Sequence, residues 1–310
     1  MPAIRLTIKR TKMIRKAVIT AAGIGTRLFP MTKIIRKELM PVFDSEGNLK
    51  PLILANVEEA ISAGIEQICI IIQEKERCLF ENFFKNAVPV DVFNKLNKES
   101  QEYARHLETI GEALTFIPQT DQKGLAHALY TAKDWLNSEP FLLILGDHSF
   151  SSLTELTCAH QLIAEYEKTE QITIGREPTP LSEAYRFGCV GGEWEADRKL
   201  LVITLFYEKP DPDYVRQYLL VNGIGSDTVL TVFGQYILKP AIFDHIKRLS
   251  DENKCERGEI QLTTALDALS QSTPVKGLVM EGKKIDIGVP EGYEKAMMAA
   301  ILRSREITNG

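Results

Sequence analysis

The chain has 310 residues, of which 44% are hydrophobic and 25% charged, and its formal net charge at pH 7 is −5. This composition is typical of a globular protein and excludes a collagen-like or an intrinsically disordered chain. The acidic balance argues against a general nucleic-acid-binding protein, which would carry a basic surface. The length predicts one domain or two fused domains.

The first residues are strongly basic, unlike the chain as a whole. Six of the first sixteen residues are Lys or Arg, with no acid among them. No apolar run long enough for a secretory signal follows them, so we predict a flexible basic extension over residues 1–13. The sequence leaves open whether Met13 is the native first residue.

Two further absences bear on the compartment. No stretch approaches the ~20 apolar residues that span a bilayer, so no membrane partner is expected. The five cysteines are scattered and form no C-x-x-C pair. This spacing indicates neither a zinc site nor a disulfide framework, and we therefore predict a cytoplasmic protein.

Short, unbroken apolar runs in the first half of the chain predict buried strands. They cover residues 17–20, 67–72, 114–117 and 141–145. Apolar residues at helical spacing predict helices over residues 52–63, 77–85, 92–110 and 124–136. Because strands without polar alternation are covered on both faces, this order favours a mostly parallel sheet with crossover helices.

The pattern changes in the second half of the chain. Helices are predicted over residues 152–168, 240–249, 259–269 and 290–303, and strands over residues 172–175, 187–191, 200–207, 231–238, 275–280 and 284–287. The short turn between strands 187–191 and 200–207 is typical of an antiparallel pair. We find no repeat and no low-complexity linker, and therefore expect both halves to share one sheet in a single domain over residues 14–310.

The first predicted strand leads into a run of small residues, A-A-G-I-G-T-R-L, at residues 21–28. Small residues let backbone N–H groups approach phosphate oxygens, although a simple tight turn is the alternative. The run lacks the Lys-Ser/Thr of a P-loop, and Leu28 replaces the third glycine of a dinucleotide motif, which disfavours a dehydrogenase. Arg27 adds a permanently charged donor fork suited to polyphosphate. Lys37 is a second candidate cation or an ordinary surface lysine.

Two aspartates lie at the ends of predicted strands. Asp147 follows F-L-L-I-L-G, and Asp286 lies within K-K-I-D-I-G. Ligands of open α/β sheets bind at the carboxyl ends of strands, and carboxylates together with substrate phosphates commonly hold Mg²⁺. Asp147 could equally be a helix cap, and His148 beside it is weak support for a softer metal. Lys209 adds another cation after the strand at 200–207.

Seven segments in this order resemble the sugar nucleotidyltransferases, most closely the bacterial UTP–glucose-1-phosphate uridylyltransferases. The longest is K-A-V-I-T-A-A-G-I-G-T-R-L-F-P-M-T-K-I-I-R-K-E-L-M-P-V at residues 16–42. The others are Q-T-D-Q-K-G-L-A-H-A-L, L-G-D, R-F-G-C-V, E-K-P, R-G-E-I-Q-L-T-T-A-L and D-I-G-V-P-E-G-Y. Several motifs in matching order are more specific than any one alone.

The resemblance implies an α/β architecture with a Rossmann-like nucleotidyltransferase fold. In that fold a mixed, mostly parallel central sheet is flanked by helices and carries a small antiparallel sugar-binding part. It implies a nucleotide-binding half over about 14–150, a sugar-binding half over about 151–290 and a closing helix over 290–303. The implied activity is Mg²⁺-assisted attack of glucose 1-phosphate on the α-phosphorus of UTP, giving UDP-glucose and pyrophosphate, in a homo-oligomer (dimer or tetramer).

The resemblance also implies the site residues. The cations acting in catalysis would be Arg27, Lys37 and Lys209. The nucleotide would be bound by Ala21, Ala22, Gly23, Gly25, Thr26, Gln119 and Gly124, with Gln119 and backbone groups reading the pyrimidine edge. The sugar phosphate would be bound by Gly188, Glu208, Lys209 and Glu259. The metal would be held by Asp147 and Asp286.

The chain departs from the family pattern at several points. Arg36 stands where the family usually has Pro, and His148 where it usually has a second Asp. A turn at 44–48 interrupts the run between Pro41 and Leu52, and the stretch 211–229 matches poorly. Two alternatives stay open: a nucleotidyltransferase for another NTP and sugar phosphate, and a non-catalytic protein that binds a sugar nucleotide.

Overall fold

A computed structural model describes residues 14–44, 46–196, 199–256 and 258–308, so the predicted extension over 1–13 lies outside it. The strands within these residues are β1 (Lys16–Thr20), β2 (Pro41–Phe43), β3 (Leu49–Pro51), β4 (Gln67–Ile72), β5 (Leu114–Pro118), β6 (Phe141–Leu145), β7 (His148–Ser152), β8 (Ile172–Pro180), β9 (Gly188–Trp194), β10 (Leu200–Glu208), β11 (Thr228–Leu238), β12 (Val275–Val279) and β13 (Gly282–Asp286).

Helices lie between these strands and after the last of them. They are α1 (Leu52–Ser62), α2 (Arg77–Phe84), α3 (Val90–Phe93), α4 (Lys98–Glu112), α5 (Leu125–Thr131), α6 (Lys133–Leu136), α7 (Cys158–Thr169), α8 (Pro212–Tyr214), α9 (Ile242–Asp251), α10 (Leu262–Ser270) and α11 (Pro290–Thr308). A π-helical turn, Val215–Leu219, follows α8. Among the described helices, none is both long and apolar enough to cross a membrane.

The main sheet has nine strands in the order β5-β4-β1-β6-β11-β8-β12-β10-β9. Strands β10 and β11 run opposite to the other seven. This arrangement confirms the predicted mixed, mostly parallel sheet. Both predicted halves contribute strands to it, while the predicted domain limits remain predictions.

Strand β11 pairs with different strands along its length, among them β9 at the far edge of the sheet. Its last residues pair with β6, whereas Leu230 and Thr231 pair with β9. The change of partner coincides with a break in the β11–β8 register around Gly234, which has φ +93°. The pairings β8–β12, β12–β10 and β10–β9 then complete a closed circuit with β11. The predicted antiparallel pair, β9 with β10, belongs to this circuit.

Apolar side chains cover both faces of the parallel strands. On β1, Val18 faces a cluster that includes residues of α5, α9 and α10, whereas Ala17 and Ile19 face a cluster that includes residues of α1, α2 and α7. All three side chains are fully buried. This two-sided burial explains why the strand sequences lack polar alternation.

Three predicted helices differ from the structure. The predicted helix over 152–168 begins only at Cys158, because the Thr157 hydroxyl accepts the N–H of His160 and caps it there. Its first predicted residue, Ser152, instead ends β7, which pairs with β13 and sets Asp286 opposite His148. The predicted helix over 92–110 is split by Asn97, whose side chain caps α4, and the one over 124–136 is interrupted at Ala132.

Gly111 allows α4 to contact the end of α2, and its substitution should destabilise the fold. A Cβ at this position would overlap the carbonyl oxygen of Phe84. We expect Gly111→Ala to lower the free energy of unfolding by about 1–3 kcal/mol, as overpacking does elsewhere. Thr109→Ala, at an exposed position of the same helix, is the control and should be nearly neutral in urea unfolding. Equal stability of the two variants would contradict this packing.

Candidate active site

A cleft of about 580 Å³ opens at the carboxyl ends of β1 and β6. This is where open α/β sheets bind ligands, and the volume suits a small molecule. The cleft brings together Ala22, Gly23, Gly25, Thr26, Arg27, Lys37, Gln119, Gly124, Asp147, Gly188, Glu208, Lys209, Glu259 and Asp286. Ala21 is fully buried behind the cleft, and its N–H donates to the carbonyl of Ile71.

The small residues of the loop after β1 make room for a lysine side chain. A Cβ at Gly23 would lie 3.1 Å from Nζ of Lys37, so glycine lets this side chain pass over the loop. Gly25 has φ +73°, a conformation that favours glycine. The Arg36 guanidinium donates to the Gly23 carbonyl, and its Nε lies 3.0 Å from a carboxylate oxygen of Glu76. Arg36 thus fixes the loop from behind.

Two cations of the cleft pair with the two predicted metal-binding aspartates. Lys37 Nζ lies 2.6 Å from Asp147 Oδ2, and Arg27 Nη1 lies 3.8 Å from Asp286 Oδ2. Burial alone would raise the pKa of Asp147, but the Lys37 charge and a hydrogen bond from His148 hold that pKa well below its ordinary value. Burial opposes the charge of Lys37 too, yet the facing carboxylates leave its pKa raised.

The carboxylates of Asp147 and Asp286 approach the same glycine. A Cβ at Gly288 would lie 3.2 Å from Asp147 Oδ2 and 3.0 Å from Asp286 Oδ1. Within the described residues, no cluster of three or more His, Cys, Asp or Glu side chains could hold a metal ion alone. Magnesium is commonly held by one or two carboxylates together with substrate phosphates. The pair therefore fits Mg²⁺ that arrives with a polyphosphate.

His148 is a partner of Asp147 rather than a metal ligand candidate of its own. Its Nδ1 lies 2.9 Å from Asp147 Oδ1, and a carboxylate can only accept, so the ring donates. The imidazole is mostly buried and stacks on Phe150 with a centroid distance of 6.2 Å. The residue that departs from the family pattern thus orients the adjacent aspartate.

Glu38 lies in the cleft wall as an almost fully buried carboxylate, and neither of its oxygens makes a hydrogen bond within the described residues. Its nearest cation is Lys37, whose Nζ is 3.8 Å away. Burial raises the pKa of Glu38 to about 7, although Lys37 opposes the shift. Glu38 thus holds a proton through the weakly acid range.

In one part of the cleft, Gly124 lies against Glu259, and Gln119 lies against Gly124. The Gln119 side-chain amide donates to the Gly124 carbonyl over 3.1 Å. Gly124 has φ +95°, and a Cβ there would lie only 2.7 Å from Cβ of Glu259. The N–H of Ile260 donates to the Lys123 carbonyl over 2.8 Å, which holds this part of the second half against the first.

In another part of the cleft, Glu208 is the last residue of β10, and Lys209 follows it. Glu208 accepts a hydrogen bond of 2.6 Å from the hydroxyl of Thr263, and its other oxygen lies 3.2 Å from Lys209 Nζ. Lys209 has φ +50°, an uncommon conformation for a residue other than glycine. A Cβ at Gly188 would lie 3.1 Å from the Thr263 hydroxyl oxygen and 3.2 Å from Glu208 Oε2, so a larger residue would press on this pair.

Sequence reasoning missed residues that line the cleft, and it missed His127, which contacts the cleft residue Gln119 without being one of the lining residues. Thr263 and Glu38 lie inside recognised segments, but nothing in their local sequence indicated burial beside Glu208 or Lys37. His127 was also missed, although it lies in the same segment as Gln119 and Gly124. A polar residue one helical turn after a predicted ligand-binding glycine was the available signal for it.

A model of the nucleotidyl transferase family matches residues 16–302, and the chain therefore belongs to that family. Similar members of the family include UTP–glucose-1-phosphate uridylyltransferases. One of that name from Staphylococcus saprophyticus subsp. saprophyticus is 33% identical over 304 residues, covering 95% of this chain and 96% of the relative. This likeness confirms the resemblance, and with it a nucleotidyltransferase enzyme.

Solved structures of UDP-glucose pyrophosphorylases are also similar to this chain. A UDP-glucose pyrophosphorylase complexed with UDP-glucose has a TM-score of 0.76 and 30% identity, covering 94% of this chain and 100% of that one. An apo UDP-glucose pyrophosphorylase has a TM-score of 0.79 and 30% identity with the same coverage. The Rossmann-like nucleotidyltransferase fold implied by the sequence motifs is confirmed.

Glu38 should make the stability of the protein depend on pH. The folded chain keeps the Glu38 proton up to about pH 7, whereas the unfolded chain releases it near the ordinary pKa of 4.5. Between these values the folded state binds more protons, so the free energy of unfolding falls as pH rises, by about 3 kcal/mol in total. We expect Glu38→Gln to abolish this contribution.

Urea midpoints measured at about pH 5 and about pH 7.5 test this expectation, since both values bracket the shifted pKa. Glu108→Gln, at an exposed position of α4, should keep the wild-type difference between the two midpoints. If Glu38→Gln also kept the difference between the two midpoints, Glu38 would be ionised in the folded protein at both pH values.

Proposed function

We propose that this protein transfers a uridylyl group from UTP to glucose 1-phosphate, producing UDP-glucose and pyrophosphate. The observation that carries the proposal is a single cleft lined by two loop cations, two facing carboxylates and the Glu208–Lys209 pair. The names of the relatives support the choice of UTP and glucose 1-phosphate. The proposed roles of the individual residues follow from their chemistry.

The reaction needs no general base. A sugar 1-phosphate has a second pKa of about 6, so near neutral pH it is a dianion that can attack the α-phosphorus directly. The obstacle is to bring two polyanions together and to stabilise charge on the leaving pyrophosphate. Positioning and electrostatic stabilisation therefore supply the rate enhancement, as in other phosphoryl transfers.

Arg27 and Lys37 are the proposed ligands of the UTP phosphates. Both lie in the cleft beside the small residues of the loop, whose backbone N–H groups can approach phosphate oxygens. Each now faces an aspartate, so the entering triphosphate offers them new anionic partners. Gln119 and Gly124 are the proposed contacts for the base, together with the loop backbone at Ala22.

Asp147 and Asp286 are the proposed ligands of Mg²⁺. Bound Mg²⁺ would neutralise charge on the phosphates and on the departing pyrophosphate. His148 donates to one oxygen of Asp147 and Lys37 to the other, which also approaches Gly288. This second oxygen would bind the ion once Lys37 pairs with the substrate phosphates instead. The carboxylates also hold Arg27 and Lys37 in the cleft before substrate arrives.

Lys209 is the proposed ligand of the sugar phosphate, and Glu208 and Glu259 of the sugar hydroxyls. Thr263 keeps Glu208 in place, and the close approach permitted by Gly188 leaves room for a sugar ring. A homo-oligomeric assembly and a cytoplasmic location remain predictions from the sequence.

Replacing Asp147 should nearly abolish turnover. With UTP, glucose 1-phosphate and Mg²⁺, we expect Asp147→Asn to release pyrophosphate about 10²–10³-fold more slowly, because one preorganised electrostatic contact is lost. Asp134→Asn, exposed and outside the cleft, should retain wild-type rates. Removal of divalent ions with a chelator should stop the wild-type reaction. Absence of pyrophosphate release by the wild type with every NTP would refute the proposed function.

Replacing Lys209 should weaken the binding of the sugar phosphate and leave that of UTP nearly unchanged. We expect Lys209→Met to raise KM for glucose 1-phosphate about tenfold or more while KM for UTP changes little, because its charge lies beside Glu208, the proposed contact of the sugar hydroxyls. Lys247→Met, which removes an exposed lysine of α9, is the matched control. A rise confined to KM for UTP would assign Lys209 to the nucleotide instead.

A further inference from the structure

The side chain of Gln119 lies between two groups that limit its orientation. Its Nε2 lies 3.1 Å from the carbonyl oxygen of Gly124 and 3.2 Å from Nδ1 of His127, in the first turn of α5. Gln119 itself is 95% buried, since its relative exposure is 5%. Residues 119, 124 and 127 all belong to the short segment that precedes and opens α5.

The chemistry of these partners fixes which end of the amide faces them. A carbonyl oxygen only accepts hydrogen bonds, so the NH₂ group of Gln119 must point to Gly124. That nitrogen cannot accept, so Nδ1 of His127 must offer its lone pair, and the ring proton must sit on Nε2. Burial lowers the pKa of His127, which favours the neutral ring that this bond requires.

The opposite end of the amide is left for a ligand. Oε1 of Gln119 makes no hydrogen bond within the described residues, and it is absent from their fully buried unpaired atoms. Gln119 also lines the cleft. Its carbonyl oxygen is therefore a free acceptor at the end of the cleft proposed for the base.

We propose that His127 is a positioning residue that selects the nucleobase: it holds the Gln119 amide so that Oε1 faces the base and accepts a hydrogen bond from a ring N–H. Uracil and thymine offer such a donor at N3, whereas cytosine presents a lone pair there. The inference rests on the proposed function, because it assigns the base to this end of the cleft.

Loss of the His127 side chain would weaken the discrimination between nucleobases rather than destabilise the fold. Without the Nδ1 acceptor, only the Gly124 carbonyl opposes a half-turn of the amide, and the turned amide would present NH₂ to cytosine N3. A site that hydrogen-bonds one partner rejects another that leaves a buried polar group unpaired. The discrimination between uracil and cytosine should therefore depend on His127, whereas the discrimination between uracil and thymine should not.

The test compares nucleotides within each variant. We expect His127→Phe to lower the UTP-to-CTP ratio of kcat/KM by about fivefold to tenfold, the effect of one net hydrogen bond. The UTP-to-dTTP ratio should not change, since both bases carry N3–H. His127→Asn, whose Oδ1 takes the place of Nδ1 as acceptor, should restore the UTP-to-CTP ratio. Thermal unfolding identifies a misfolded variant, in which case His127→Ala replaces His127→Phe.

A double-mutant comparison separates positioning from general damage. In a Gln119→Ala background, His127→Phe should leave the UTP-to-CTP ratio unchanged, because the amide that it orients is gone. An unchanged ratio for His127→Phe in the wild-type background would overturn the proposal. So would failure of His127→Asn to restore the ratio, or an equal effect of His127→Phe in the Gln119→Ala background.

The inference can fail independently of the proposed function. If the wild type makes no UDP-glucose, that function is wrong, and the same variants are compared by calorimetric binding of UTP, dTTP and CTP. The expected ratios of Kd follow the same order as the ratios of kcat/KM. If the wild type makes UDP-glucose but accepts CTP as well as UTP, the function stands and the role of His127 is wrong.

Discussion

The ion pair between Lys37 and Asp147 joins the loop after β1 to the end of β6, and the rest of the cleft is arranged around it. Burying either charge alone would cost several kcal/mol, so each requires the other. Gly23 leaves room for the Lys37 side chain, and Arg36 donates a hydrogen bond to the Gly23 carbonyl. His148 donates a hydrogen bond to the other oxygen of Asp147. Breaking this pair would leave an uncompensated charge at the centre of the site.

The same pair explains how an acidic protein accommodates highly charged substrates. The chain has 37 Lys and Arg residues against 42 Asp and Glu residues, so it carries no overall excess of positive charge. Arg27 and Lys37 are held ready by carboxylates, and the carboxylates are in turn the groups that would bind a divalent ion. A nucleotide entering with its metal ion would provide each charge with a new partner of opposite sign. The cleft therefore needs no excess of positive charge to bind phosphate, and preorganised charges lower the cost of reorganisation during the reaction.

The sequence predicted those features that depend on local pattern. Strands β4 and β6 have the predicted limits because each is an unbroken apolar run. The helix predicted over 152–168 began too early, because Ser152 belongs to β7, which is stabilised by pairing with β13, far away in sequence. The recognised motifs included nearly every residue that the cleft brings together. The burial of Glu38 and the bond from Thr263 to Glu208 could not be predicted, since both depend on contacts between distant segments.

Three residues form hydrogen bonds with side chains that we propose as ligand contacts, and they share one property. His148 donates to Asp147, Thr263 donates to Glu208, and His127 accepts from Gln119. Each occupies one hydrogen-bonding atom of its partner and leaves another toward the cleft. The two oxygens of a carboxylate are equivalent, so a hydrogen-bonding partner determines only where the carboxylate lies. The two ends of an amide differ, so its partner also determines whether a donor or an acceptor faces the cleft. Selectivity should therefore be most sensitive at the amide, where the supporting residue sets the chemical character of the contact.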